Sequence, residues 1–228
     1  MRILGMDSAT GACSVALWRD GAIVARRFAA MDRGQSEIMV PMVQEVMAEA
    51  GVGFQDLDGL GVTIGPGAFT GLRIGLAAAR GLALASGLPL VGVTTFEAVG
   101  HGIPPEERLG RAVVVAVESR REDIFIQSFD NDMKLADQPR SIRPDAFAVP
   151  DCPTLIAGDA AVRLRMALEA RGLQDAAGLR FAAGPGLPDA ADVAALVAER
   201  GFASAADGPP RPFYLRPPDV TLPAAKPR

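Results

Sequence analysis

Apolar residues alternate along the chain between short runs bounded by turn residues and longer stretches with helical spacing. Residues 3–6 form a continuous apolar run ended by Asp7, as a short buried strand requires. After the polar turn Ser8-Ala9-Thr10-Gly11, residues 13–19 read as a second strand and 22–29 as a third. Asp20-Gly21 between them suits a two-residue hairpin turn, whose central positions need positive φ. Residues 36–50 are predicted to be helical. Ile38, Met39, Met42, Val43, Val46, Met47 and Ala50 share one face, Ser36 is the expected cap and Gly51 the stop. Residues 57–64 give another strand, followed by a Gly-rich turn and a helix over 70–86 capped by Thr70. A strand over 90–93 precedes a short helix that reaches Val99, capped by Thr94 or Thr95.

The pattern breaks at His101-Gly102-Ile103-Pro104-Pro105, which divides the chain into residues 1–103 and 104–216. Beyond it, 112–117 is a buried strand, 123–129 an alternating partner, and the sequence to Pro153 irregular and rich in Pro. A strand over 154–157, the turn Gly158-Asp159 and a helix over 160–171 closed by Gly172 follow. Asp189 caps a last helix over 190–200, closed by Gly201, and 217–228 is a Pro-rich tail. The mixture of strands and helices indicates an α/β protein. No repeat of the solenoid kind is present.

Only 5% of the 228 residues are aromatic, so Ala, Val, Leu and Met must build the core. The net charge of −4 argues against an autonomous nucleic-acid binder, because such proteins neutralise phosphates with Lys and Arg. Any RNA is expected to be held by a partner. Cys13 and Cys152 stand without metal-ligand spacing, as in a reducing compartment, and no apolar stretch is long enough for a membrane span. The expected location is the cytoplasm.

Asp7-Ser8-Ala9-Thr10 has two readings of equal standing. A carboxylate and hydroxyls at a strand end can hold hydrated Mg²⁺ and phosphate oxygens, or form a structural Asx or Ser/Thr turn. Gly65-Pro66-Gly67-Ala68-Phe69-Thr70-Gly71-Leu72-Arg73 is more specific: a strand-to-helix turn whose glycines permit close approach at a helix N-terminus. It is not a P-loop, since the Lys-Ser/Thr pair is missing. Gly71, Gly75 and Ala79 recur every four residues, with Ala78 and Gly81 beside them. Each interior Gly costs about 1 kcal/mol of helix stability, which close packing on another backbone can offset. Direct ligand contact is the second reading. The Met stripe of 36–50 is either core or an adaptable contact surface. His101 is the only histidine, which leaves little for a zinc hydrolase or a His-based acid–base enzyme. Glu118 to Asp123 reads as a solvated hairpin turn.

Taken together these motifs resemble the TsaB/YeaZ family. The matching segments are Asp7-Ser8-Ala9-Thr10 with Cys13-Ser14-Val15-Ala16, the run from Gly65 to Gly75, Glu118-Ser119-Arg120-Arg121, and Pro212-Phe213-Tyr214-Leu215-Arg216. The resemblance implies the two-lobed fold of actin, Hsp70 and sugar kinases, each lobe a mixed sheet with flanking helices. It also implies a non-catalytic subunit of the machinery that makes threonylcarbamoyladenosine beside the anticodon of tRNAs reading A-starting codons. The implied partners are the transferase TsaD, its helper TsaE and a second copy of this chain, with tRNA reached through the complex. No cofactor or metal of the chain's own is implied, and ATP or ADP with Mg enters only at the level of the complex. TsaD uses a HxxxH metal site, where this chain has only Gln35 and Pro41 nearby. Family members commonly carry His-Ser-Glu where Gln35-Ser36-Glu37 stands, and Asp-Ala where Glu118-Ser119 stands.

The pairing surface implied by the resemblance lies on the two N-lobe helices. Its candidates are Met39, Met42, Val43, Val46, Gly71, Arg73, Gly75, Ala78, Ala79 and Leu82, taken as exposed. A large residue at Gly75 or Ala79 is expected to block pairing and leave the fold intact. Asp7, Ser8, Thr10, Gly65, Gly67 and Thr70 are candidates for a vestigial phosphate-facing site. The alternative is an ATP-dependent phosphotransferase or nucleotide-binding protein of this fold, with Asp7 on Mg²⁺ and Gly158-Asp159-Ala160 toward adenosine. Direct tRNA binding is a third reading, opposed by the net charge.

Overall fold

A computed structural model describes residues 1–173, 176, 178–184 and 186–216, so the predicted tail over 217–228 lies outside the described residues. The first sheet begins with β1 (Arg2–Asp7), β2 (Ala12–Arg19) and β3 (Ala22–Ala30), an antiparallel meander. Asp20 and Gly21 both take positive φ at its hairpin turn. After helix α1 (Gln35–Ala50), β4 (Gly59–Gly65) joins β1 in parallel. Helix α2 (Phe69–Ser86) then crosses over to β5 (Leu90–Thr94), giving the order β3-β2-β1-β4-β5.

Helices α3 (Thr95–His101) and α4 (Pro105–Arg108) lead into the second sheet. Strands β6 (Ala112–Glu118), β7 (Ile124–Phe129) and β8 (Arg140–Ile142) form another meander. Strand β9 (Thr154–Ala157), helix α5 (Ala161–Ala170) and strand β10 (Leu179–Phe181) complete it in the order β10-β9-β6-β7-β8. Read from the other edge, this is the topology of the first sheet. The two lobes are topological copies, although no sequence repeat announces it.

Strand alternation sorts the side chains. Leu4, Met6, Leu60 and Val62 face α1 and α2, while Ile3, Val91 and Val93 face the opposite layer. That layer holds α6 (Ala190–Arg200), capped by Asp189, whose carboxylate accepts from the Ala191 N–H at 2.9 Å. Gly61 lets α6 lie on the sheet, since a Cβ there would meet Val197 and Val193 at 2.9 and 3.0 Å. The linear division after residue 103 therefore does not hold for the last helix, which returns to the first lobe. In the second lobe Val113, Val115 and Val117 pack on the α3 side, and Val114 and Ala116 on the α5 side.

Two expected caps are corrected. Helix α1 starts from Gly34 in a left-handed conformation (φ 92°), with Gln35 Nε2 donating to the Met31 carbonyl at 3.2 Å, so Ser36 is left exposed within the helix. Ala68, not Thr70, is the N-terminal boundary of α2, and no side chain caps it. Thr94 caps α3 in a reciprocal box with Glu97, which settles the choice between Thr94 and Thr95.

His101 joins α3 to α6, with Nδ1 2.8 Å from Asp192 and Nε2 3.5 Å from Glu199. The hydrogen bond to Asp192 raises its pKa above the ordinary 6.5. The stabilisation is therefore complete below pH 6.5 and is lost as pH rises through the folded-state pKa. His101→Ala is expected to lower the urea midpoint at about pH 6 and to have a smaller effect at about pH 9.

Candidate functional site

The carboxyl ends of β1, β4, β6 and β9 meet across a cleft between the lobes, the position at which open α/β sheets bind ligands. A cavity of about 400 Å³ opens there, lined by Thr10, Gly11, Asp32, Ala68, Glu118, Arg120, Asp159 and Leu187. Asp7 ends β1 behind it, fully buried, with Oδ1 accepting from Thr63 Oγ1 at 2.5 Å and from the Ala9 N–H at 3.1 Å. Asp7 Oδ2 and Thr10 Oγ1 are buried and have no hydrogen-bond partner among the described residues. Burial, against the opposing bonds from Thr63 and Ala9, pushes the Asp7 pKa up to about 7. Asp159 accepts from the Glu118 N–H at 2.8 Å, and burial raises its pKa to about 6.

From pH 3.8 to about 7 the folded chain keeps the Asp7 proton that the unfolded chain has lost, so stability falls as pH rises across that window. Asp159 acts in the same direction up to about pH 6. Asp7→Asn is expected to remove most of this slope, raising stability relative to the parent at about pH 8 by a few kcal/mol more than at about pH 4. Paired urea titrations at the two pH values measure it. Burial also drives the Cys13 thiol up to about 12, which makes it a core residue rather than a nucleophile.

The Gly-rich turn lies against the chain's own backbone. A Cβ on Gly67 would overlap the Ala9 carbonyl, and one on Gly71 the Ser8 carbonyl. At Gly75 a Cβ would sit 2.7 Å from Ser8 Oγ, which itself donates to the Gly71 carbonyl at 2.8 Å. The Ala68 N–H, at the mouth of α2, donates to the Ala9 carbonyl at 2.7 Å. Gly65, at φ 114°, lies under the Phe213 carbonyl. In the other lobe, Cβ atoms on Gly158 and Gly186 would overlap the backbones of Ala116 and Gly158 respectively. Gly67, Gly71, Gly158 and Gly186 are thus packed against the chain's own backbone.

Of the candidates for a phosphate-facing site, Asp7 and Ser8 are buried, Thr10 lines the inter-lobe cavity, and Gly65 lies under the C-terminal strap. Gly67 and Thr70 line a second, larger groove. The candidate pairing surface requires a correction of phase. Met39, Val43, Val46, Gly71, Gly75 and Ala79 point into the first lobe and are buried. Met42, Ala78 and Leu82 are half-buried against the same core, and only Arg73 stands exposed. The outward face of α2 consists instead of Ala77, Gly81, Leu84 and Ala85, and Val40 and Pro41 of α1 are exposed as well. Leu84 is 88% exposed, and a Cβ on Gly81 would touch nothing within 4 Å.

A C-terminal strap, missed as a site by pattern reading, joins the lobes. The Phe213 N–H donates to the Ile64 carbonyl at 2.7 Å, and Tyr214 Oη accepts from Arg73 Nε at 3.1 Å. Arg216 pairs with Asp123 of the second lobe at 2.6 Å. Its sequence signal was the tail motif Pro212 to Arg216, whose single Tyr and terminal Arg have no periodic role.

Known proteins bear this geometry out as a fold. A family model described as TsaD, tRNA N6-adenosine threonylcarbamoyltransferase, matches residues 28–149. The tRNA threonylcarbamoyladenosine biosynthesis protein TsaB of Escherichia coli K12 is 39% identical over 132 residues, which are 58% of this chain and 56% of that protein. With TsaB of Haemophilus influenzae the matched share of that protein is 52%, so the chain spans about half the length of the curated relatives it matches. The solved YeaZ of Pseudomonas aeruginosa superposes with a TM-score of 0.74 at 26% identity, covering 94% of this chain and 99% of that one. An activator of 2-hydroxyisocaproyl-CoA dehydratase from Clostridium difficile, at 13% identity and a TM-score of 0.51, shares the two-lobed fold alone.

Proposed function

Because the chain belongs to the TsaB/YeaZ family, we propose that it is the non-catalytic subunit of the assembly that forms threonylcarbamoyladenosine in tRNA. It pairs with the transferase TsaD through the outward face of α1 and α2, and TsaE docks on the pair. In the absence of TsaD the same face joins two copies of the chain about a two-fold axis. Location in the cytoplasm belongs to this reading. Among the described residues, no helix is long and apolar enough to cross a membrane.

The observation that carries the proposal is the contrast between the two faces of α2. The inward face packs the Gly-rich turn on Ser8 and Ala9. The outward face leaves Ala77, Gly81, Leu84 and Ala85 bare. An exposed helix face of small and apolar residues suits coverage by a partner. Small residues also let a partner helix come close. Co-purification of tagged full-length chain with TsaD, and of TsaE with the pair, tests the reading. Recovery of the chain free of TsaD at micromolar concentrations of both would sink it.

A further inference from the structure

A groove of about 890 Å³ opens where the first turns of α1 and α2, the β6–β7 turn and the C-terminal strap converge. Its charge is opposite to that of the chain. Arg33, Arg73, Arg120, Arg121 and Arg216 line it together with Asp32, in a protein of net charge −4, and Arg216 is also paired with Asp123 at 2.6 Å. Arg120 projects from a turn at φ 60°, a conformation uncommon for a side chain of its size. Its partner Asp32, at 3.1 Å, is 85% exposed, so the pair contributes little to stability and can be exchanged for another anion. At the rim Phe69 and Tyr214 stack with centroids 5.7 Å apart, and the Arg73 guanidinium lies 3.6 Å over the Phe69 ring. Phe69 and Tyr214 are 54% and 44% exposed.

We propose that this groove binds a single-stranded segment of RNA, in a contact that the chain makes directly rather than through its partner. Guanidinium groups along a groove take phosphates, and exposed aromatic faces take bases without regard to sequence. The Ala68 N–H at the start of α2 is already taken by the Ala9 carbonyl, which disfavours a mononucleotide phosphate at that position. The acidic remainder of the chain keeps the contact weak alone and useful beside a second RNA-binding subunit. The choice of a tRNA anticodon arm as the RNA rests on the function proposed above; the groove itself does not.

Fluorescence anisotropy of the full chain with a labelled anticodon stem–loop RNA tests the proposal between about 50 and 200 mM salt. Binding should weaken with salt, and R33Q with R120Q should reduce affinity about tenfold and the log–log salt slope by about 0.7 per arginine. Arg19→Gln, at the far end of β2, should change neither. Absence of binding at the lowest salt, equal loss with Arg19→Gln, or full displacement of the RNA by equimolar ATP would overturn the proposal. Co-purification with TsaD should survive R33Q with R120Q. Absence of RNA binding by the parent chain with pairing intact therefore counts against the groove alone, and absence of pairing with RNA binding intact against the assembly role alone.

Discussion

Replacing Ala77 with Arg and Leu84 with Glu is expected to abolish pairing with TsaD while leaving the fold unchanged. Both positions are exposed on the outward face of α2, and Leu84 makes almost no use of its side chain within the monomer. Surface changes of this kind alter stability by about 0.5 kcal/mol or less. In a closed helix–helix interface the same side chains bury charge without partners, and affinity should fall about 100-fold or more. Co-purification and thermal melts of the double variant measure the two halves of the prediction. An undiminished yield of complex would place the interface elsewhere.

The opposite outcome is expected one face away. Gly71→Val should destabilise the chain by about 3 kcal/mol, because its Cβ enters the Ser8 carbonyl and neither backbone can retreat. With a urea slope of about 2 kcal/mol/M, the midpoint falls by about 1.5 M. A large residue at Gly75 or Ala79 should likewise damage the fold before it reaches any partner, since both are buried under β1 and β4. The two faces of α2 therefore respond in different assays. Inward changes move the unfolding midpoint, and outward changes move partner binding. A Gly71→Val chain that melts like the parent would contradict this packing.

The phase of α2 was the part that sequence could not supply. Its residues are small or apolar on every side apart from Thr70, Arg73, Arg80 and Ser86, so helical periodicity names a helix without naming its inner face. The strands were legible because turn residues bound them: Asp7 after β1, Asp20-Gly21 after β2 and Gly158 after β9. The close packing of Gly71 and Gly75 was also legible, but the backbone they meet belongs to this chain. The return of α6 to the first sheet was hidden, because its apolar face would suit either lobe. Net charge concealed the arginine groove for a similar reason. A sum over the chain is blind to five positive side chains gathered from segments as distant as Arg33 and Arg216. The pKa shifts at Asp7 and Asp159 depend on burial that no local pattern encodes.

In its proposed role this chain enables a transfer reaction that it does not itself perform. The most direct test of that role is the formation of threonylcarbamoyladenosine in tRNA from purified TsaD, TsaE and threonylcarbamoyl-adenylate, read by nucleoside mass with and without the chain. No product is expected without it, full product with the parent or with Asp7→Asn, and none with the Ala77→Arg, Leu84→Glu variant. Product formed by the chain alone, or lost with Asp7→Asn while the complex still assembles, would contradict it.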